Sequence, residues 1–460
     1  MESVLENGRI VGETARGYFG DYSLVEFSYD KETMCEQTQF LMDSGAENIA
    51  EASFIYDGLY CAVDILHKNK DGWDIVEVKS STSLSPEYID DMGFQLYVLR
   101  SCGLNINKVY NMHINNKYVR HGDLDLQGLF TLEDCTTDVF CNSSLVESRI
   151  QDIREYMLRE DEETRDIDIT CDSPYECSFK AYCSRHLPKH SVFDVRKMAL
   201  NKKYDYYHKG IVSFDDLLDH QIKLSPKQMV QILTEVEDRP DHIDEKEIIN
   251  FLNMLTYPVY HLDFETFQQA VPKFEGGVPY AQIPFQYSLH IEYEDGRLEH
   301  KEFLAKEGTD PRRALAERLC EDIPEGVCSL AYNMSFEKTV IKNLAEQFPD
   351  LAGHLMDIYD NMHDLMIPFS KGHYYSKPMK GSYSIKFVLP ALYPDDPELD
   401  YHNLDEVHNG SEASAAFLTM ASKTPDEIKM LRDNLLKYCG LDTYAMVKVL
   451  AKLRDVVENH

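Results

Sequence analysis

The stretch His261-Leu262-Asp263-Phe264-Glu265-Thr266 constrains this chain most. It continues an apolar run, Tyr257 to Leu262, that reads as a buried strand. Period-two alternation then points Asp263 and Glu265 to the same side. Two acids on one strand face repel each other unless a cation lies between them, and hard divalent ions take oxygen ligands of this kind. Asp263 and Glu265 are therefore candidate metal ligands. A solvated strand edge often carries the same Asp-x-Glu pair, so the rest of the chain has to decide.

Downstream, Ala331-Tyr332-Asn333-Met334-Ser335-Phe336-Glu337-Lys338 ends a second short apolar strand with another acid. Tyr438-Cys439-Gly440-Leu441-Asp442 places a tyrosine and an acid four residues apart, on one face of a predicted helix. Taken singly, Tyr438 reads as a core aromatic and Asp442 as a helix-face acid. The ordered set of Asp263 and Glu265, Asn333 to Glu337, and Tyr438-x-x-x-Asp442 resembles the DEDD exonuclease superfamily in its tyrosine-bearing form. That resemblance implies a ribonuclease-H-like domain with a mixed sheet. Asp263, Glu265, Glu337 and Asp442 would hold two magnesium or manganese ions, Tyr438 would orient the attacking water, and strands would be cut from their 3′ ends. The superfamily has aspartate where this chain has Glu337, a longer side chain in a geometry that magnesium enforces strictly. Two ions about 4 Å apart stabilise both the attacking and the leaving oxygen, so such hydrolysis needs no covalent nucleophile.

Phe369 to Phe387 contains Lys371, Lys377, Lys380 and Lys386 with Tyr374, Tyr375 and Tyr383, and no acid. Lysines neutralise phosphates and aromatic faces accept unstacked bases, so this run reads as a loop that holds single-stranded nucleic acid. A solvated lysine-rich loop is the plain alternative.

A second constellation lies near the amino terminus. Gly58 to Leu66 reads as a strand, Lys68 to Gly72 as a polar turn, and Trp73 to Lys79 as the hairpin partner. Asp64 followed by Glu77-x-Lys79 is the arrangement of a PD-(D/E)xK nuclease, and Gln95, in a predicted helix after the hairpin, resembles the RecB-like branch. The resemblance implies a restriction-endonuclease-like domain with Asp64 and Glu77 on a metal, Lys79 and Gln95 in catalysis, and Glu51 as a further acidic ligand. Cys171-x5-Cys177-x5-Cys183 resembles the trailing cysteine cluster of RecB-like nucleases that carry a 4Fe-4S cluster. In those relatives a fourth thiolate precedes the nuclease core, whereas here no cysteine precedes Cys35. On that resemblance the amino terminus is shortened or degenerate, with Cys35 as a candidate substitute ligand; a buried thiol in a predicted helix, Lys31 to Met42, is the plain alternative. Zinc on the three cysteines and His186 is the alternative.

With 460 residues, 43% of them hydrophobic, the chain is long enough for several cores. The expected order is a RecB-like domain over residues 1–186, a helical connector over 187–256 and a ribonuclease-H-like domain over 257–460, an α/β protein throughout. Connector helices are expected over Ser213 to His220, Ser225 to Glu237 and Asp244 to Leu255, with Ser225-Pro226 and Asp244 as helix starts. Within the same segment, Lys202 to Lys209 mixes cations with aromatics. This whole order resembles a family of RecB-like nucleases fused to a ribonuclease-H-like domain. No apolar run approaches membrane-spanning length, Met1-Glu2-Ser3 is unlike a signal peptide, and eleven cysteines without a small disulfide framework fit a reducing cytoplasm. The formal charge of −34 excludes a broad DNA-coating surface, so any nucleic-acid contact must be local. The expected activity is metal-dependent phosphodiester hydrolysis, with single-stranded DNA favoured over RNA by the RecB-like half. The rivals are a decayed, non-catalytic nucleic-acid-binding or scaffold protein, and an RNA-processing exonuclease in which only the carboxy-terminal domain works.

Overall fold

The computed structural model describes residues 2–404 and 406–458. They form a mixed α/β protein of two compact units, Met1–Thr164 with Gln268–Ala281, and Arg165–Phe267 with Gln282–His460.

The first unit is built on a six-stranded sheet of β1 (Ser23–Leu24), β2 (Asn48–Tyr56), β3 (Leu59–Asn69), β4 (Gly72–Lys79), β5 (Ile106–Ile114) and β6 (Phe130–Asp134), in that spatial order. β2, β3 and β4 form an antiparallel meander, and β4 pairs parallel with β5. A parallel pair needs a crossover, which the helix Pro86–Ser101 supplies. Its buried Met92, Leu96, Val98 and Leu99 pack with Ile49, Val63, Ile75 and Val109. A second cluster joins Val11 and Ala15 of the helix Glu2–Ala15 to Val76, Met112 and Ile114. Gly72 has φ +147°, and a Cβ there would lie 2.5 Å from the Asn105 carbonyl oxygen, so only glycine fits where β4 begins.

The second unit has a five-stranded mixed sheet. β8 (Val259–Phe267) is central, with β9 (Ile283–Glu292) and β10 (Leu298–Leu304) on one side and β11 (Cys328–Ala331) and β12 (Met362–Asp364) on the other. The β8–β9 and β9–β10 pairings are antiparallel, whereas β8–β11 and β11–β12 are parallel. Burial follows the alternation of β8. Tyr260, Leu262 and Phe264 pack with the helices Arg312–Asp322 and Ser335–Gln347, whereas Val259 packs with Ala445, Met446 and Val449 of the long helix Pro425–Glu458. Asp263 and Glu265, in phase with Val259, therefore face the side of the carboxy-terminal helix. The β8–β9 register shifts between Glu265 and Thr266. Such irregularities re-aim side chains and are frequent beside functional sites.

Residues 187–256 supply short helices to this unit, Leu200–His208, Phe214–Asp219, Pro226–Val236 and Glu245–Leu252. Ser213 and Ser225 close capping boxes, and the Asp244 side chain accepts from the Glu247 amide. Each of the three expected connector helices starts one residue later than its reading from sequence, because the capping residue itself lies outside the helix. This segment also contains a strand that its composition hid, β7 (His242–Ile243), paired antiparallel with β13 (Tyr374–Tyr375). Among the described residues no helix is long and apolar enough to cross a membrane.

Candidate functional site

Three separate segments meet at the carboxy-terminal end of β8. The strand brings Asp263, half-buried, and Glu265, 7% exposed. The first turn of the helix Ser335–Gln347 brings Glu337, 2% exposed, whose Oε2 is buried without a hydrogen-bond partner. The long helix brings Tyr438 and Asp442 one turn apart, as their spacing requires. This helix is pinned beside the sheet by Thr443, whose hydroxyl lies 2.6 Å from Ser288 Oγ and 2.7 Å from His290 Nδ1, and by Gln286, which donates to the Leu435 carbonyl.

The acids act on one another chiefly through Asp263. Burial first, and then the charges of Asp442, Glu265 and Glu337, hold Asp263 well above the usual carboxylate range. Glu265 is raised in the same way by burial and Asp442. Glu337 is pushed up to about 8 by burial and the nearby Asp364. Asp442 reaches only about 6, because hydrogen bonds from Tyr401 and Tyr438 and the charge of Lys386 offset its burial. An excess of withdrawn carboxylates with one lysine nearby, and a buried carboxylate oxygen with no donor, is a donor set that suits hard divalent cations. Asp263, Glu265 and Cys439 offer ligand atoms all within 4.8 Å of one another.

Reasoning from sequence missed three residues here. Tyr401 donates to Asp442 Oδ1 at 2.6 Å. The Cys439 thiol lies 3.9 Å from Asp263 Oδ2. Asp364 ends β12, 8% exposed, with Oδ1 accepting from the amides of Asn333 and Met366 at 2.9 Å each. It thereby braces Asn333, whose φ of +73° turns the chain toward Glu337. Cys439 adjoins Tyr438 in sequence and could have been found from helix geometry. Tyr401 and Asp364 carry no local signal. The helix Gly410–Met420 also begins against the site, since a Cβ on Gly410 would lie 3.4 Å from Glu265 Oε2. Its positive end favours the acid there.

The lysine-rich run is only partly a surface loop. Lys371, Lys380 and Lys386 are exposed, and Lys386 lies within electrostatic reach of Glu265 and Asp442. Lys377 is ion-paired with Asp238. Tyr374 and Tyr375 are 4% and 1% exposed and belong to the hydrophobic core. Their expected role as stacking platforms is corrected accordingly: both rings are packed in the core and leave no face for a base. The Lys202 to Lys209 run is helical as far as His208, and its Tyr204 and Tyr207 bond Asp172 and Asp166.

In the first unit, Asp64, Glu77, Lys79 and Gln95 come together. Asp64 Oδ2 accepts from the Val78 amide at 2.7 Å, Lys79 Nζ lies 2.9 Å from Glu77 Oε1, and Gln95 donates to Glu77 Oε2 at 2.6 Å. Burial and the charge of Glu77 hold Asp64 well above its usual range. Glu51 lies between Ala50 and Ala52, which pair with Ile65 and Val63 of β3, with φ +58°, its carboxylate held by Arg16 at 2.9 Å and its charge felt by Asp64. Lys79 also pairs with Asp91 at 2.9 Å. Cys171, Cys177 and Cys183 lie on short turns of the second unit and do not converge, with each other or with His186, within the 4.8 Å that marks the acidic group. His186 instead bonds the Cys183 carbonyl and the Tyr207 hydroxyl. Cys35, in the first unit, lies within electrostatic range of Cys102.

Residues 260–384 match a family described as a domain of unknown function, DUF2779. The matched segment contains Asp263, Glu265, Glu337 and Asp364 but ends before Tyr401 and Asp442. An uncharacterized protein of Ureaplasma parvum serovar 3, UU173, is 25% identical over 229 residues, 45% of this chain. The chain spans about a third of that relative's length, 33%. No solved structure matches significantly.

Proposed function

We propose that the second unit is a metal-dependent phosphodiesterase acting as a 3′-to-5′ exonuclease, favouring single-stranded DNA, and that the first unit carries a second, RecB-like nuclease site. The observation that carries this reading is the convergence of Asp263, Glu265, Glu337 and Asp442 with Tyr438, from three distant segments, at one end of a mixed sheet. The strand order and the placement of the acids support a ribonuclease-H-like domain; the hairpin β3–β4 with Gln95 behind it supports a restriction-endonuclease-like one.

Magnesium or manganese on the four acids would stabilise the attacking and leaving oxygens of an in-line displacement. The chain's own groups do the rest. Hydrogen bonds from Tyr438 and Tyr401 favour the ionised, oriented form of Asp442, and Tyr438 would orient the attacking water. Lys386 faces Glu265 and Asp442 and can meet the phosphate whose charge grows during reaction. In the first unit, Gln95 fixes Glu77 and Lys79 stands ready to stabilise the phosphorane.

Time courses on 3′- and 5′-labelled DNA and RNA strands test the reading. Metal-dependent shortening from the 3′ end should disappear in Asp263→Asn, and Lys79→Ala should remove only cleavage by the first unit. Activity untouched by both variants would overturn both assignments. An iron-sulfur or zinc site on Cys171, Cys177 and Cys183 would have to draw the thiols together and recruit a fourth ligand. Stoichiometric iron or zinc in anaerobically purified protein, lost in Cys177→Ser, would support it; metal-free wild type would overturn it.

A further inference from the structure

A cavity of about 410 Å³ opens beside the turn that carries Asn333, lined also by Lys197, Ser382, Tyr383 and Ser384. Its walls are fixed. The Tyr332 hydroxyl donates to the Tyr383 carbonyl at 2.7 Å. Gly381 has φ +75°, and a Cβ there would lie 2.4 Å from Gln231 Nε2, so this loop sits directly against the helix Pro226–Val236.

The charges around the cavity are anomalous for a chain of net charge −34. Arg196 is 7% exposed, yet its guanidinium has no carboxylate partner among the described residues. One nitrogen makes a long bond to the Phe369 carbonyl at 3.4 Å, and the group lies 5.5 Å from the centre of the Tyr383 ring. Lys197, exposed and in left-handed backbone at φ +47°, holds its ammonium 5.2 Å from the same ring. Lys227 donates to the Ser370 carbonyl and feels the like charges of Lys371 and Arg196. Buried cations are ordinarily paired. Here buried Arg196 and exposed Lys197 have no bonded carboxylate beside a pocket of polar donors and one aromatic face, while the acid behind its lining, Asp364, is engaged by the Asn333 and Met366 amides.

We infer that this pocket binds one nucleotide of a single-stranded nucleic acid, its backbone phosphate on Lys197 and the field of Arg196 and its base on Tyr383. The inference rests on the nuclease reading for its choice of ligand and names a strand-binding subsite partly supplied by the connector. Phosphate neutralisation and base stacking on an aromatic ring are the two interactions that hold single strands regardless of sequence. Lys197 and Arg196 lie outside the segment that matches the domain family.

The test is fluorescence anisotropy with a 5′-fluorescein-labelled oligothymidylate, in EDTA, on the whole chain. Lys197→Glu and Tyr383→Ala should each weaken binding about tenfold or more, whereas Lys70→Glu, an exposed turn lysine of the first unit, controls for net charge and should stay within about twofold. The salt dependence should become shallower in Lys197→Glu by about 0.7 in log Kd per log salt. Variants that bind as Lys70→Glu does, a wild type that binds no strand, or full displacement of the strand by inorganic phosphate at millimolar concentration would each overturn the inference. The assay contains no metal, so a failure of the acid cluster to catalyse leaves its result unchanged. A failure here likewise leaves metal-dependent hydrolysis to be judged on Asp263→Asn alone.

Discussion

Glu337 should make the metal-free protein lose stability as the pH rises through neutrality. Its carboxyl is buried with one oxygen unpartnered and titrates near 8 when folded, against 4.5 ordinarily. The folded state therefore binds more protons than the unfolded state between those values, and the slope of unfolding free energy with pH is negative there. Stability is fully present below about 4.5 and is lost as the pH rises through about 8. Between pH 6.5 and 8 the loss from this one group is on the order of 1–2 kcal/mol, or a few degrees in Tm for a unit of this size. Buried His261 and His290 are both depressed and push the other way, chiefly below about pH 6.5. Their contribution cancels when wild type is compared with Glu337→Gln. The assay is thermal unfolding by circular dichroism in EDTA at several pH values, on both proteins. The wild-type Tm should fall relative to the variant by the amount given, and excess magnesium or manganese should remove the difference by replacing protons with metal. Parallel wild-type and variant profiles in EDTA would refute the reasoning.

Two further outcomes follow from the same geometry. The Phe417 ring stacks on Phe285 at 4.2 Å and on Phe267 at 5.8 Å, which joins the helix Gly410–Met420 to β8 and β9. Phe417→Ala should cost about 3–5 kcal/mol in chemical denaturation, and a loss below about 1 kcal/mol would mean that this stack is not a core contact. Tyr401→Phe removes only the hydroxyl that bonds Asp442 at 2.6 Å. It should weaken manganese binding roughly 10- to 100-fold, as loss of a partner behind a ligand does, while the protein stays folded with a loss of about 1–3 kcal/mol; unaltered affinity would remove Tyr401 from the site.

The parts of this molecule that were legible in its sequence are those that local rules determine. The alternation around Asp263 and Glu265 specifies a shared strand face, the spacing of Tyr438 and Asp442 specifies a shared helix face, and Ser213, Ser225 and Asp244 announce helix starts through their capping chemistry. The hairpin bearing Asp64, Glu77 and Lys79 was legible because its turn is polar and short. What stayed hidden depends on distant segments. Asp364 becomes part of the site only because β12 pairs with β11, and Tyr401 only because its segment folds over the long helix. Tyr374 and Tyr375 looked like base-stacking residues because lysines surround them in sequence. Their burial follows from packing in one core with distant residues such as Ile248 and Phe251, which no local pattern reveals. Arg196 gave no sign in sequence that it would be buried without an acid.

The central claim is that the four converging acids of the second unit hold a divalent metal, and manganese binding by calorimetry tests it most directly. The comparison is made on Asp64→Asn, which removes a ligand of the first unit, against Asp64→Asn with Asp263→Asn. The single variant should bind manganese and the double variant should lose that binding while remaining folded by circular dichroism. Equal binding by the two, or none by the first, would contradict the account.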